Sequence, residues 1–148
     1  MRKVIAAINM TLDGFCDHTA GIPDEEIHQH YTELLNEGDT ILYGRITYQL
    51  MEYWQPLVKN PSGEKTMDNF AMAIDKIPKI VFSHTLKNVE WESAKLANRA
   101  IEEEVLELRQ QSGRKCFDFP PASQSRVRCT PLYCHPLVTI FSFNRFAF

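Results

Sequence analysis

The chain has 148 residues, a formal net charge of −3, 44% hydrophobic residues and 24% charged residues. That length suits one domain with a real core, and the acidic balance argues against a nucleic-acid face, which would be basic. No apolar run approaches the ~20 residues that span a bilayer, and MRKVIAAIN is too short in apolar residues for a signal-peptide core.

Lys3–Asn9 (KVIAAIN) is apolar on both faces and predicts a central strand. A loop over Met10–Ile22 follows, with the turn pair Asp13-Gly14. Pro23 and the acids Asp24, Glu25 and Glu26 open a helix whose apolar face is Ile27, Tyr31, Leu34 and Leu35, ended by Gly38. Thr40–Tyr43 predicts a second strand, and a short helix begins at about Thr47. Trp54–Lys65, with two prolines, reads as a polar loop. Met67, Phe70, Ala71 and Ile74 form the next helical stripe, stopped before Pro78. Lys79–Ser83 predicts a third strand, and Val89–Lys95 a short one. Asn98 is placed to cap a helix with core face Ile101, Val105 and Leu108, ended by Gly113. This alternation implies an α/β fold with a mostly parallel sheet and flanking helices.

The composition changes after Gly113. Residues 1–113 carry 18 acidic and 11 basic residues, whereas residues 114–148 carry one acid and five bases. The second stretch also holds three of the four cysteines and six of the nine phenylalanines, and no glycine. We therefore expect a partial α/β domain at 1–113 and an atypical tail at 114–148. A separate binding segment, a disordered appendage or a reading-frame change near Gly113 would each give such a tail, and the last is favoured because the expected fold needs further strands. The cysteines Cys16, Cys116, Cys129 and Cys134 include no C-x-x-C pair. The spacing of Cys129, Cys134 and His135 matches no usual zinc pattern, so reduced thiols in a cytoplasmic protein are expected.

Candidate chemistry gathers at strand ends, where open α/β sheets bind ligands. The first end offers Asn9, Met10, Thr11, Asp13 and Gly14; the second, Gly44, Arg45 and Thr47; the third, Ser83, His84 and Thr85. Gly44 would let the backbone turn and a ligand approach, Arg45 presents a forked cation to a phosphate monoester, and the Thr47 hydroxyl and new helix N–H groups suit a pyrophosphate. Together they match a dinucleotide with an extra 2′-phosphate. Asp13 is either a proton relay or substrate contact, or an ordinary turn residue. His28 and His30 point about 200° apart on a helix and cannot share a metal, so a solvated face is expected. No G-x-S-x-G, Walker loop, H-E-x-x-H or G-x-G-x-x-G is present.

VIAAINMTLDG at 4–14, ILYGRITYQLM at 41–51 and IPKIVFSHTL at 77–86 resemble, in order and spacing, the dihydrofolate reductase-like superfamily. The nearest group is the one containing the reductase domain of the bifunctional riboflavin-biosynthesis deaminase-reductase. The resemblance covers about 1–113 and implies NADPH lying across the strand ends, with a small-molecule substrate and a homodimer. It further implies that Gly44, Arg45 and Thr47 hold phosphates and that Ser83, His84 and Thr85 lie near the 2′-phosphate. The Ala6 and Ala7 backbone would face the nicotinamide, and Asn9, Asp13 and Gly14 would border the substrate, with Asp13 in the catalytic role. The implied reaction is that of a 5-amino-6-(5-phosphoribosylamino)uracil reductase. Residues 15–23 lack the Pro-Trp pair of dihydrofolate reductases, and no glycine follows Gly113 to form the pyrophosphate loop the family expects, so the closing strands are expected to be altered or missing. The alternatives are a truncated, non-catalytic nucleotide-binding domain and an oligomeric interaction protein.

Overall fold

The computed structural model describes residues 3–9, 23–119 and 138–143, with side chains at 3–7 and 23–116. The strands are β1 (Val4–Asn9), β2 (Gly38–Gly44), β3 (Lys79–Phe82), β4 (Ala94–Leu96), β5 (Lys115–Phe119) and β6 (Val138–Phe143). The helices are α1 (Glu25–Glu37), α2 (Arg45–Met51), α3 (Gln55–Lys59), α4 (Lys65–Lys76) and α5 (Ile101–Gln110). The sheet runs β4-β3-β2-β5-β1-β6, and every recorded pairing is parallel.

Side chains that alternate along the strands divide the core into two layers. Ile41, Tyr43 and Val81 face one side, where they pack with Leu35 of α1 and with Phe70 and Ile74 of α4. Leu42, Ile80, Val4 and Cys116 face the other, against Val105 and Leu108 of α5. Crossovers run both ways along the sheet: β1 to β2 through α1 and β2 to β3 through α4 one way, and β4 back to β5 through α5 the other. Right-handed connections made in opposite directions place their helices on opposite faces, which accounts for the two layers.

Helix α1 starts at Glu25, so Pro23 lies before it and Asp24 stands at the N-cap rather than in the first turn. The Asp24 carboxylate accepts from Ile27 N–H at 2.9 Å, and Glu25 and Glu26 occupy the first turn. Asp24→Ala is expected to cost about 1 kcal/mol, or roughly 2–4 °C in a thermal melt of a chain this size.

Several local expectations are corrected. Helix α2 begins at Arg45, directly after Gly44, two residues before Thr47. The proline-containing stretch from Trp54 is partly helical: a 3-10 turn at Glu52–Trp54 runs into α3, because Pro56 sits in the first turn, where its missing N–H costs nothing. Asn98 is not the cap of α5; that position is Ala100, with no side-chain cap bond, and the helix stops at Gln110 before Gly113. The fourth strand is Ala94–Leu96, at the C-terminal end of the expected stretch.

The largest difference lies beyond Gly113. β5 occupies the middle of the sheet, between β2 and β1, and Cys116 N–H donates to Lys3 O at 2.9 Å. Arg114 N–H donates to the Asp39 carboxylate at 2.8 Å, its guanidinium to Asn36 O at 2.9 Å, and Lys115 pairs with Glu37. The sheet therefore continues past the change in composition, and β6 pairs with β1 along the whole strand.

At the sheet edge where β3 begins, Lys79 is wholly buried. Its ammonium donates to Ser93 Oγ at 2.7 Å, Ile77 O at 2.9 Å and Asp75 O at 3.4 Å, and lies 4.1 Å from the Trp91 ring centroid. Trp91 Nε1–H in turn donates to the Asp75 carboxylate at 2.6 Å. One cation thus joins the carbonyls that end α4 to the segment leading into β4, where the helix dipole favours positive charge.

Candidate functional site

A parallel sheet brings all its strand carboxyl ends to one edge. Ala6 of β1 and Leu42 of β2 both pair with Asp118 of β5, so Asn9 and Arg45, each three residues further on, are level. Gly44 pairs with Phe82, which sets Ser83 beside Arg45 on the neighbouring strand. The three expected strand ends therefore share one edge across β1, β5, β2 and β3, a width of about 14 Å at roughly 4.8 Å per strand.

Gly44 has φ −74°, ordinary extended backbone, so the turn itself does not require glycine. What it supplies is room, since a Cβ built there meets nothing within 4 Å. Arg45 opens α2, and its exposed guanidinium donates to Gln49 Oε1 at 3.1 Å, one turn on. Thr47 is 6% exposed, and its hydroxyl has no hydrogen-bond partner. A buried hydroxyl left in this state is costly, and an arriving acceptor would satisfy it. Tyr48 fixes the helix from beneath, its buried hydroxyl accepting from Trp91 N–H at 3.4 Å.

After β3, Ser83 Oγ accepts from Thr85 N–H at 3.1 Å and Leu86 N–H at 2.9 Å, closing a tight turn that displays His84 and Thr85 to solvent. Ser83 is thus a builder of the turn as well as a candidate contact. Ala6 and Ala7 are buried in β1; Ala6 pairs with both β5 and β6, and Ala7 with β6. Asn9 closes β1 opposite Phe143. Met10, Thr11, Asp13 and Gly14 lie outside the described residues, as do Cys129, Cys134 and His135. Among the described residues, no group of three or more His, Cys, Asp and Glu is placed to hold a metal ion, and no helix is long and apolar enough to cross a membrane.

The expected solvated histidine face is corrected. His28 is 7% exposed and packs between Trp54 and Phe70, so the buried face of α1 is turned toward His28 and Leu35, while Ile27, Tyr31 and Leu34 are only half-buried. Asp118 lies in the central strand β5, beyond the change in composition at Gly113.

A parallel sheet with helices on both faces fits the dihydrofolate reductase-like α/β class. Within that class, the chain belongs to the RibD C-terminal domain family, whose model matches residues 2–115. It is 32% identical over 125 residues to the uncharacterized protein YyaP of Bacillus subtilis (strain 168), an alignment that covers 82% of this chain and 64% of that protein. It also superposes, with a TM-score of 0.48 at 15% identity, on the crystal structure of a Shewanella sp. PV-4 protein assigned provisionally to riboflavin biosynthesis, covering 78% of this chain and 63% of the other. The chain thus spans less than two thirds of the length of these two relatives.

Proposed function

We propose that this chain is an NADPH-dependent reductase of the riboflavin-reductase type. Bound NADPH would supply a hydride to a heterocycle-linked small molecule, such as a pyrimidine or pterin-like ring carrying a phosphosugar. The observation that carries the reading is the strand-end group on β2: open space over Gly44, the Arg45 fork at the first helical position, and the buried, unsatisfied Thr47 hydroxyl. A cation and a hydroxyl donor beside uncovered backbone fit a phosphorylated dinucleotide, and Thr85 and His84 on the adjacent strand end extend the same edge toward a 2′-phosphate. The RibD C-terminal domain match supports the reaction class. In this reading Ala6 and Ala7 line the nicotinamide end, Asn9 and Gly14 border the substrate, and Asp13 relays the proton that accompanies hydride transfer. A cytoplasmic setting follows from the same reading.

A thermal melt with millimolar NADPH, with NADH as the control, tests it. NADPH at 100 times its dissociation constant would add about 2.7 kcal/mol of stability, while NADH would add little. Arg45→Ala is expected to weaken NADPH by roughly 10–150-fold, the value of one charge-assisted contact at about 1.5–3 kcal/mol. A cooperative melt that NADPH leaves unmoved would remove the cofactor and with it the reductase reading.

A further inference from the structure

His28 has no part in the proposed chemistry, and its surroundings are unusual for a titratable group. It sits one turn into α1, with its ring centroid 5.5 Å from that of Trp54, in the 3-10 turn, and 5.9 Å from that of Phe70, in α4. Trp54 and Phe70 also meet edge to face at 4.7 Å, so three elements lock together through three rings. Neither ring nitrogen of His28 has a hydrogen-bond partner. We propose that His28 is an acid-operated release for this lock: uncharged, it holds α1, the 3-10 turn and α4 together, and protonated, it leaves the aromatic contact and frees Trp54.

The charged groups facing His28 are few. Asp24 caps its own helix and Glu64 stands at the N-cap position of α4 without a side-chain cap bond; both favour the imidazolium, but burial outweighs them and keeps the ring's affinity for a proton below its ordinary level. From the 3-10 turn, Glu52 is engaged with Tyr48. Contact with the Trp54 ring offers an imidazolium some cation–π attraction, yet both of its N–H donors would be stranded away from water, which costs more. The folded chain therefore resists protonation that the unfolded chain accepts freely. Between pH 6.5 and the lower folded value the unfolded state binds more protons, so stability falls as pH falls through that window. The 3-10 turn continues α2 without a break, so release of Trp54 loosens the element that carries Arg45 and Thr47.

Tryptophan emission and the His28 ring proton resonance, followed from pH 8 to pH 5 in the full chain, test this. The expected result is a red shift in emission that tracks a His28 titration below 6.5. In His28→Phe the shift should vanish and the melting temperature at pH 6 should rise. A red shift that persists in His28→Phe, or a His28 resonance titrating at or above 6.5, overturns the proposal. Should His28→Phe fail to fold, the wild-type resonance decides alone, because release requires that His28 titrate below 6.5 in step with the emission.

Discussion

A chain ending at Gly113 is expected to show no cooperative melt. On composition, residues 1–113 look like the structured part, but β5 begins at Lys115 and stands between β2 and β1. Without it those two strands lose their shared neighbour, together with the Cys116-to-Lys3 bond and the ties from Arg114 and Lys115 to the end of α1. Two strand edges facing each other across an empty position leave buried backbone donors and acceptors unpaired, each costing about 1–3 kcal/mol. Several such losses exceed the 5–15 kcal/mol that stabilises a typical domain. Circular dichroism against temperature gives the answer. A sharp transition in the shortened chain would mean that β1 and β2 pair directly and that residues 114–148 are an appendage.

Lys79→Ala is expected to destabilise the fold by about 3 kcal/mol, or roughly 6–12 °C, whereas Lys79→Met should stay within about 1 kcal/mol of the parent. The alanine variant empties a fully buried volume and leaves Ile77 O and Ser93 Oγ short of a donor. The methionine variant fills that volume and avoids the cost of burying a charge, which offsets the lost hydrogen bonds. Burial pushes the Lys79 ammonium down to about 8 from 10.5, while Asp75 pulls the other way. The folded chain thus releases this proton at lower pH than the unfolded chain. Between pH 8 and 10.5 the unfolded state binds more protons, so the Lys79 contribution to stability rises with pH across that window and is level below it. Denaturant midpoints measured across pH 7–10.5 should show this rise in the parent and lose it in Lys79→Met. Equal melting temperatures for the alanine and methionine variants would count against a volume-dominated role.

The carboxyl-edge residues on β2 and β3 could be read before any fold was known, because a short apolar run meeting Gly44 and Arg45, or Ser83 and His84, is a local signal of a strand ending in polar groups. The acidic start of α1 and the stripe Phe70, Ala71 and Ile74 were legible for the same reason: the cause lies within a few residues of the effect. His28 was not, because whether a helical histidine faces water or an aromatic pair depends on Trp54 and Phe70, which arrive from 26 and 42 residues later in the chain. Nor was Lys79, a lysine heading a strand, whose burial is set by Trp91, Ser93 and the end of α4. Local periodicity and turn chemistry thus determined the order of the elements from β1 to α5, apart from α3, together with the parallel α/β class and the candidate ligand edge. Only the tertiary structure decided that Lys115–Phe119 is the central strand, since five residues mixing Phe117 and Phe119 with Lys115 and Asp118 do not fix a position in the sheet, which comes from the ladders to β1 and β2 on either side. Strand order is a long-range property, fixed by which edges remain to be paired once α1 and α5 have crossed to opposite faces.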